Sequence, residues 1–334
     1  MKMDMKAWQE RVIAGKEKKA MPILSFPGAK LIGVTVEEMV RSSHLQAECM
    51  TKIAEKYDMG MAVSLMDLSV EAEAFGSPVV YSPDEVPTVH GAIVHDEEEA
   101  DALKTPTVGD GRTGICVEGI REACERITDR PVLAGMIGPY SLAGRLLDMT
   151  EIMILCYEEP ELVETVLTKV TDFLVEYAKA FKAAGANGIM IAEPAAGLLS
   201  PGLIEEFSTP YVNRIREAVE EDEFLVIYHN CGNVEPLMAK IKDIDARAYS
   251  FGNAIDIERA LEVIPQDRIV IGNIDPAGTF RNGTPEQVRQ ETTALLERCG
   301  RYPNFVISSG CDIPPMTPFE NIDAFFEAVA KFYK

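Results

Sequence analysis

The chain has 334 residues, and its 32 Lys and Arg face 54 Asp and Glu for a formal net charge of −22. That balance excludes a duplex-coating nucleic-acid binder, which needs clustered Lys and Arg, and it repels anionic membrane surfaces. At 47% hydrophobic and 26% charged residues, the composition is that of a folded globular protein, at a length that single α/β barrels reach.

No apolar run approaches the ~18 residues of a membrane span, so none is expected. The opening MKMDMKAWQERVIAGKEKKA is basic but lacks the apolar stretch of a secretory signal. It reads as a short amphipathic helix carrying Trp8, Val12 and Ile13, and a cytoplasmic location is expected. Seven scattered cysteines (Cys49, Cys116, Cys124, Cys156, Cys231, Cys299, Cys311) argue against a disulfide framework. Metal binding or plain burial is the simpler reading for each.

In chain order, strands are predicted at Pro22–Phe26, Met61–Leu65, Val132–Ile137, Gly188–Ala192, Phe224–Tyr228, Ala246–Phe251, Ile269–Gly272 and Phe305–Ser308. They are near-continuous apolar runs, the pattern of parallel strands covered on their outer face. Between them lie helical patterns. The clearest starts at Pro160 after Glu159, carries apolar residues from Leu162 to Phe181 at three-to-four spacing, and stops near Gly185. Others follow Ser200-Pro201, Thr284-Pro285 and Thr317-Pro318, each read as a capping residue followed by proline. Eight strand–helix units predict a single (β/α)₈ barrel spanning residues 1–334, with a doubly wound open sheet as the rival. The long connection from about Asp67 to Arg130, with hairpin-like runs at Val79–Tyr81 and Val89–Val94, leaves the second strand and is read as a lid over the barrel mouth; an inert decoration is the alternative.

The strongest local signal is His229-Asn230-Cys231. In an extended segment, positions i and i+2 point to the same side, so imidazole and thiolate can meet one ion. Alone, this pattern fits a packed cysteine beside a hydrogen-bonded histidine as well. Cys311 follows the last strand, and in a barrel it leaves the same rim as the H-x-C pair. Three such ligands leave a fourth tetrahedral position open, as in catalytic zinc. Glu193, ending the fourth strand, is a labile ligand, an acid/base group or a rim ion pair. Asn253, Asn273 and Asp275 sit at strand ends, where they could orient substrate, cofactor or zinc ligands. Asp67, Glu71 and Glu73 are read as solvated lid carboxylates, and Gly109–Gly114 matches G-x-G-x-x-G without a preceding strand, hence a polar loop. The other histidines (His44, His90, His95) have no partner at ligand spacing, and the other cysteines fall in helical patterns.

Gly138-Pro139-Tyr140-Ser141-Leu142-Ala143-Gly144, Glu193-Pro194, Gly272-Asn273-Ile274-Asp275-Pro276 and the Cys311 segment resemble the uroporphyrinogen decarboxylase superfamily over nearly the full chain. Within it, His229-Asn230-Cys231-Gly232 with Cys311 is similar to the zinc-dependent methylcobalamin:coenzyme M methyltransferase branch. The resemblance implies a barrel with its site at the C-terminal mouth, and zinc on His229, Cys231 and Cys311. It also implies a methyl group delivered by a methylated corrinoid protein to a thiol or tetrahydrofolate. The decarboxylase branch, the alternative enzyme, holds its substrate with arginines after the first strand, whereas Phe26–Gly33 here offers one lysine and no arginine. No D-x-H-x-x-G corrinoid motif occurs, so the corrinoid is expected on another protein. An acidic acceptor would need a basic anchor, for which Lys30 and Arg145 are the two candidates. A zinc- or corrinoid-binding module without catalysis is the non-enzyme alternative.

Overall fold

Residues 3–334 are described by a computed structural model. Its strands are β1 (Ala62–Val63), β2 (Val79–Val80), β3 (Thr88–Val89), β4 (Val132–Ile137), β5 (Gly188–Ala192), β6 (Leu225–Asn230), β7 (Ala248–Phe251), β8 (Ile269–Ile274) and β9 (Phe305–Ser309). Seven of them form one parallel sheet in the order β1-β4-β5-β6-β7-β8-β9, while β2 and β3 pair in a separate antiparallel hairpin. Helices cover the outer face: Thr113–Arg126 packs on β4, Pro160–Ala184 on β5 and Pro285–Cys299 on β9.

The strands are continuously apolar because both faces are buried, and successive side chains go to different cores. In β5, Ile189 and Ile191 join the layer under the helices, whereas Met190 and Ala192 join an inner cluster. β6 repeats the division, with Val226 and Tyr228 outside and Leu225 and Ile227 inside. The expected N-terminal helix, Met5–Ala14, adds Met5 and Trp8 to that inner cluster. The Met5 amide donates to the Asp222 carbonyl at 2.7 Å. Gln9 Nε2 donates to the carbonyls of Arg247 and Asp267 at 3.2 and 2.6 Å. These acceptors lie just ahead of β6, β7 and β8, so the helix plugs the N-terminal end of the sheet.

The eighth expected strand, Pro22–Phe26, is not one. Pro22 has no amide hydrogen to give a ladder, and the segment is held largely by side chains instead. On the β9 side, the Met21 amide donates to the Ile307 carbonyl at 3.0 Å, Ser308 Oγ donates to the Met21 carbonyl at 2.8 Å, and Ser309 Oγ accepts from the Ile23 amide at 3.1 Å. On the β1 side, Ser25 Oγ donates to the Val63 carbonyl. The segment therefore bridges the two edges of the curled sheet without a strand ladder.

Helix Pro160–Ala184 matches its expected bounds and ends at Gly185, whose φ of 105° suits glycine. Ser200 and Thr284 cap their helices through the side chain. Thr317 does not: Pro318 precedes helix Phe319–Phe332, and Thr317 Oγ1 is buried without a partner. No helix among the described residues is long and apolar enough to cross a membrane.

The connection after β1 divides in two. Helix Thr113–Arg126 lies against helices Ser43–Lys56 and Pro160–Ala184, in the outer layer. The preceding stretch, with the hairpin, is tied down by Arg112, whose guanidinium donates to Asp67 at 2.5 Å, Glu73 at 2.7 Å and Ser69 Oγ at 2.7 Å. Arg112 and Asp67 are buried, so the expectation of solvated carboxylates fails here: the glycine-rich turn delivers an arginine that neutralises them. Breaking a buried pair leaves an uncompensated charge, which costs about 3–5 kcal/mol. Arg112→Leu is expected to lose that much in urea unfolding, and a loss below about 1 kcal/mol would contradict the assignment.

Candidate metal centre

The parity of β6 decides the site. His229 follows Leu225 and Ile227 in the inward series, and Cys231 continues it just past the strand end. Asn230, facing the other way, is fully buried and pins the turn: its Nδ2 donates to the Glu193 carbonyl at 2.5 Å and its Oδ1 accepts from the Gly232 amide at 2.9 Å. Cys311 arrives from the loop after β9. The ligand atoms of His229, Cys231 and Cys311 all lie within 4.8 Å of one another. Donors around a tetrahedral zinc stand roughly 3.5–4 Å apart, so small side-chain adjustments suffice.

Two further observations fit a soft cation. His229 Nδ1 lies 3.0 Å from Ser250 Oγ, its register partner on β7, while buried Nε2 has no hydrogen-bond partner. A hydrogen on Nδ1 bonded to Ser250 leaves the Nε2 lone pair free for a ligand. The two thiols act on each other: the hydrogen bond from Cys311 lowers Cys231 from its ordinary value, against burial and with help from His229. Donating that bond, together with burial, pushes Cys311 up. One nitrogen and two sulfurs with a thiolate already favoured form a donor set suited to zinc.

Glycine permits the approach. A Cβ on Gly252 would lie 2.5 Å from Cys231 Cα, so β7 can pass the ligand loop only without a side chain there. Sequence reasoning missed Ser250 and Gly252, since strand register is invisible in one sequence.

Glu193 does not join the cluster. It is fully buried; Oε2 accepts from the Tyr140 amide at 3.0 Å and Oε1 from the Ser141 amide at 2.6 Å, at the start of helix Pro139–Leu147. A Cβ on Gly138 would lie 2.5 Å from that carboxylate. Burial raises Glu193 to about 7, opposed by the hydrogen bonds of Ser141 and Tyr140. Its amide donates to the His229 carbonyl at 2.8 Å, so its main chain also supports the ligand strand.

Asn253, Asn273 and Asp275 line one cavity of about 680 Å³ beyond β7 and β8. Asn273 Nδ2 is committed to the carbonyls of Gly252 and Ile255 at 2.9 and 3.0 Å, and Asp275 Oδ1 accepts from the amides of Ala277 and Gly278. Of the two basic candidates, Lys30 is exposed and stands 6.0 Å from the Phe319 ring centroid, while Arg145 is half-buried. Glu71 is buried too. Its Oε1 accepts from the Ile137 amide at 3.0 Å, its Oε2 has no partner, and burial raises it to about 7.

A curled parallel sheet with a partly buried His–Cys–Cys cluster off its C-terminal strand ends defines an α/β protein of the barrel type. The uroporphyrinogen decarboxylase (URO-D) family model matches residues 9–332, and the chain belongs to that family. It is 31% identical over 314 residues to the methylcobamide:CoM methyltransferase MtbA of Methanosarcina acetivorans, covering 90% of this chain and 91% of that protein. It is 26% identical to a uroporphyrinogen decarboxylase of Psychromonas ingrahamii, covering 87% and 84%. A solved methyltransferase from Methanosarcina mazei superposes with a TM-score of 0.87 at 25% identity, over 99% of this chain and 100% of that one.

The position of Glu71 sets a pH dependence. Its carboxyl titrates at about 7 in the fold against an ordinary 4.5, so between those values the folded chain holds a proton that the unfolded chain has released. This contribution to stability is present at low pH and is lost as pH rises through that window. Relative to wild type, Glu71→Gln is expected to gain about 3 kcal/mol on moving from about pH 4 to about pH 8 in chemical unfolding. A difference independent of pH would show that Glu71 is not held protonated.

Proposed function

We propose that this chain is a corrinoid-dependent methyltransferase that uses zinc on His229, Cys231 and Cys311 to pass a methyl group to a thiol. The convergence of one imidazole nitrogen and two cysteine sulfurs carries this reading, and the full-length similarity to a methylcobamide:CoM methyltransferase supports it. Zinc bound there would favour the thiolate of an incoming thiol at neutral pH and keep it nucleophilic.

The chain's own groups set up that chemistry. Ser250 orients His229, and Cys231 and Cys311 would hold the ion through their sulfurs as thiolates. Glu193 keeps its carboxylate on the helix start and carries the strand end through its main chain. The acceptor's thiolate takes the methyl carbon as the donor's carbon–cobalt bond breaks, leaving the electron pair on cobalt. Asn253, Asn273 and Asp275 frame a cavity wide enough for part of a large ligand, and we assign it to the incoming corrinoid. The hairpin of β2 and β3 is assigned to the lid that this partner meets. Residues 1–334 act as one barrel unit in this scheme.

The second reading, a decarboxylase, draws on the decarboxylase relative. Against it, the stretch after Phe26 forms a short helix, Gly28–Ile32, whose one basic residue is the exposed Lys30. Multiply acidic porphyrinogens are held by paired guanidinium forks, which this stretch does not supply.

The test combines metal analysis with transfer assays. About one zinc per chain is expected, falling below about a tenth in Cys231→Ala and Cys311→Ala. Methylcobalamin demethylation in the presence of thiols should fall roughly a hundredfold or more in the same variants, and uroporphyrinogen should give no coproporphyrinogen. Full zinc occupancy in the double cysteine variant, or efficient porphyrinogen decarboxylation, would overturn the proposal. Ser250→Ala is expected to weaken zinc binding about tenfold to a hundredfold, measured by chelator competition; unchanged affinity would remove Ser250 from the site.

A further inference from the structure

Among the described residues, four lysines are half-buried: Lys18, Lys169, Lys182 and Lys240. Lys182 and Lys240 pair with Glu221 and Glu205 at 3.0 and 2.7 Å. Lys169 Nζ donates to the carbonyls of Ala100 and Asp101 at 2.7 and 2.6 Å, in the last turn of helix Glu97–Ala102, whose dipole favours a cation. Lys18 has neither device. Its Nζ donates to the carbonyls of Pro303 and Phe305, the second at 3.2 Å, where the chain enters β9. Burial lowers Lys18 from 10.5 to about 8, and no opposing charge offsets it.

Lys18 lines a cavity of about 440 Å³ between the segment after helix Met5–Ala14, the end of helix Ser43–Lys56 and helix Phe319–Phe332. One wall is aromatic, with the Tyr57 and Phe326 rings stacked at 4.5 Å between centroids. Four lysines and two acids line the cavity, the reverse of the balance that gives the chain its −22. Lys19 and Lys56, two of those lysines, hold Asp58 and Asp323 in exposed pairs, which are weak enough to yield to another anion. A neutral amine has two N–H groups and one lone pair. Pro303 and Phe305 do not line the cavity, so with both hydrogens on their carbonyls the lone pair turns toward it.

We propose that Lys18 is an acylation site, taking a small acyl group from an acyl phosphate seated among the cavity's lysines. The amine attacks the acyl carbon and a C–N bond forms. The C–O bond to phosphate breaks, phosphate leaves with that electron pair, and the nitrogen gives up one proton. Lys19 and Lys56 receive the phosphate, and the acyl group meets the aromatic wall. The amide keeps one N–H, so one of the two carbonyls ahead of β9 loses its donor. The site lies where β9 begins, whereas Cys311 follows its other end, and it does not depend on methyl transfer.

The full chain is incubated with acetyl phosphate near neutral pH, and the occupancy of each lysine is followed by peptide mass spectrometry. Lys18 should acetylate about tenfold or more faster than Lys169 and the exposed Lys16 and Lys104, because more of it is uncharged. In Lys19→Gln/Lys56→Gln protein, acetylation of Lys18 by acetyl phosphate should slow about threefold or more, with acetylation by uncharged acetic anhydride little changed. Rates are read against Lys169 in the same sample, so a general loss of structure does not imitate the effect. Lys18 reacting no faster than the exposed lysines would overturn the site. A double variant that slows neither reagent, or both alike, would overturn the acyl-phosphate assignment.

Discussion

The two-residue period of β6 is the constraint from which the site follows. Because both faces of the sheet are buried, each strand must send alternate side chains to different cores. Leu225 and Ile227 fill the inner one, so His229 must point inward as well, and Cys231 after it. A register slip of one residue would bring Asn230 inward and send the imidazole under the helices. The same alternation gives Asn230 its task on the outer side, where it ties the ligand turn to the Glu193 carbonyl. His229 and Cys231 are thus aimed inward by hydrophobic burial, with Asn230 fixing the turn and Ser250 the imidazole.

Much of this was legible in the sequence, for physical reasons that can be named. Strands β4, β5 and β6 announced themselves because buried parallel strands are apolar throughout, and helix Pro160–Ala184 because proline and glycine bracket a regular stripe. The convergence of His229 and Cys231 was legible because residues at i and i+2 obey strand geometry. Pro22–Phe26 misled because apolar composition reports burial, not the hydrogen-bond ladder that defines a strand. Asp67 and Glu73 misled because a carboxylate's letter says nothing of the arginine that meets them from 45 and 39 positions away along the chain, and Glu71 because nothing in its letter reports its burial. Ser250 was hidden by register, and Glu193 by a helix start whose amides no motif reports.

Buried carboxylates are handled in more than one way. Asp67 and Glu73 are neutralised by Arg112, whereas burial raises both Glu71 and Glu193 to about 7, the latter against hydrogen bonds from backbone amides at a helix start. These solutions differ in rigidity. An arginine fork and a helix start fix geometry, whereas a protonated acid adapts to a neighbouring water or side chain.

The helix Met5–Ala14 closes the N-terminal end of the sheet's interior. With one end stoppered by Met5 and Trp8, whatever reaches the thiols crosses the same threshold in both directions.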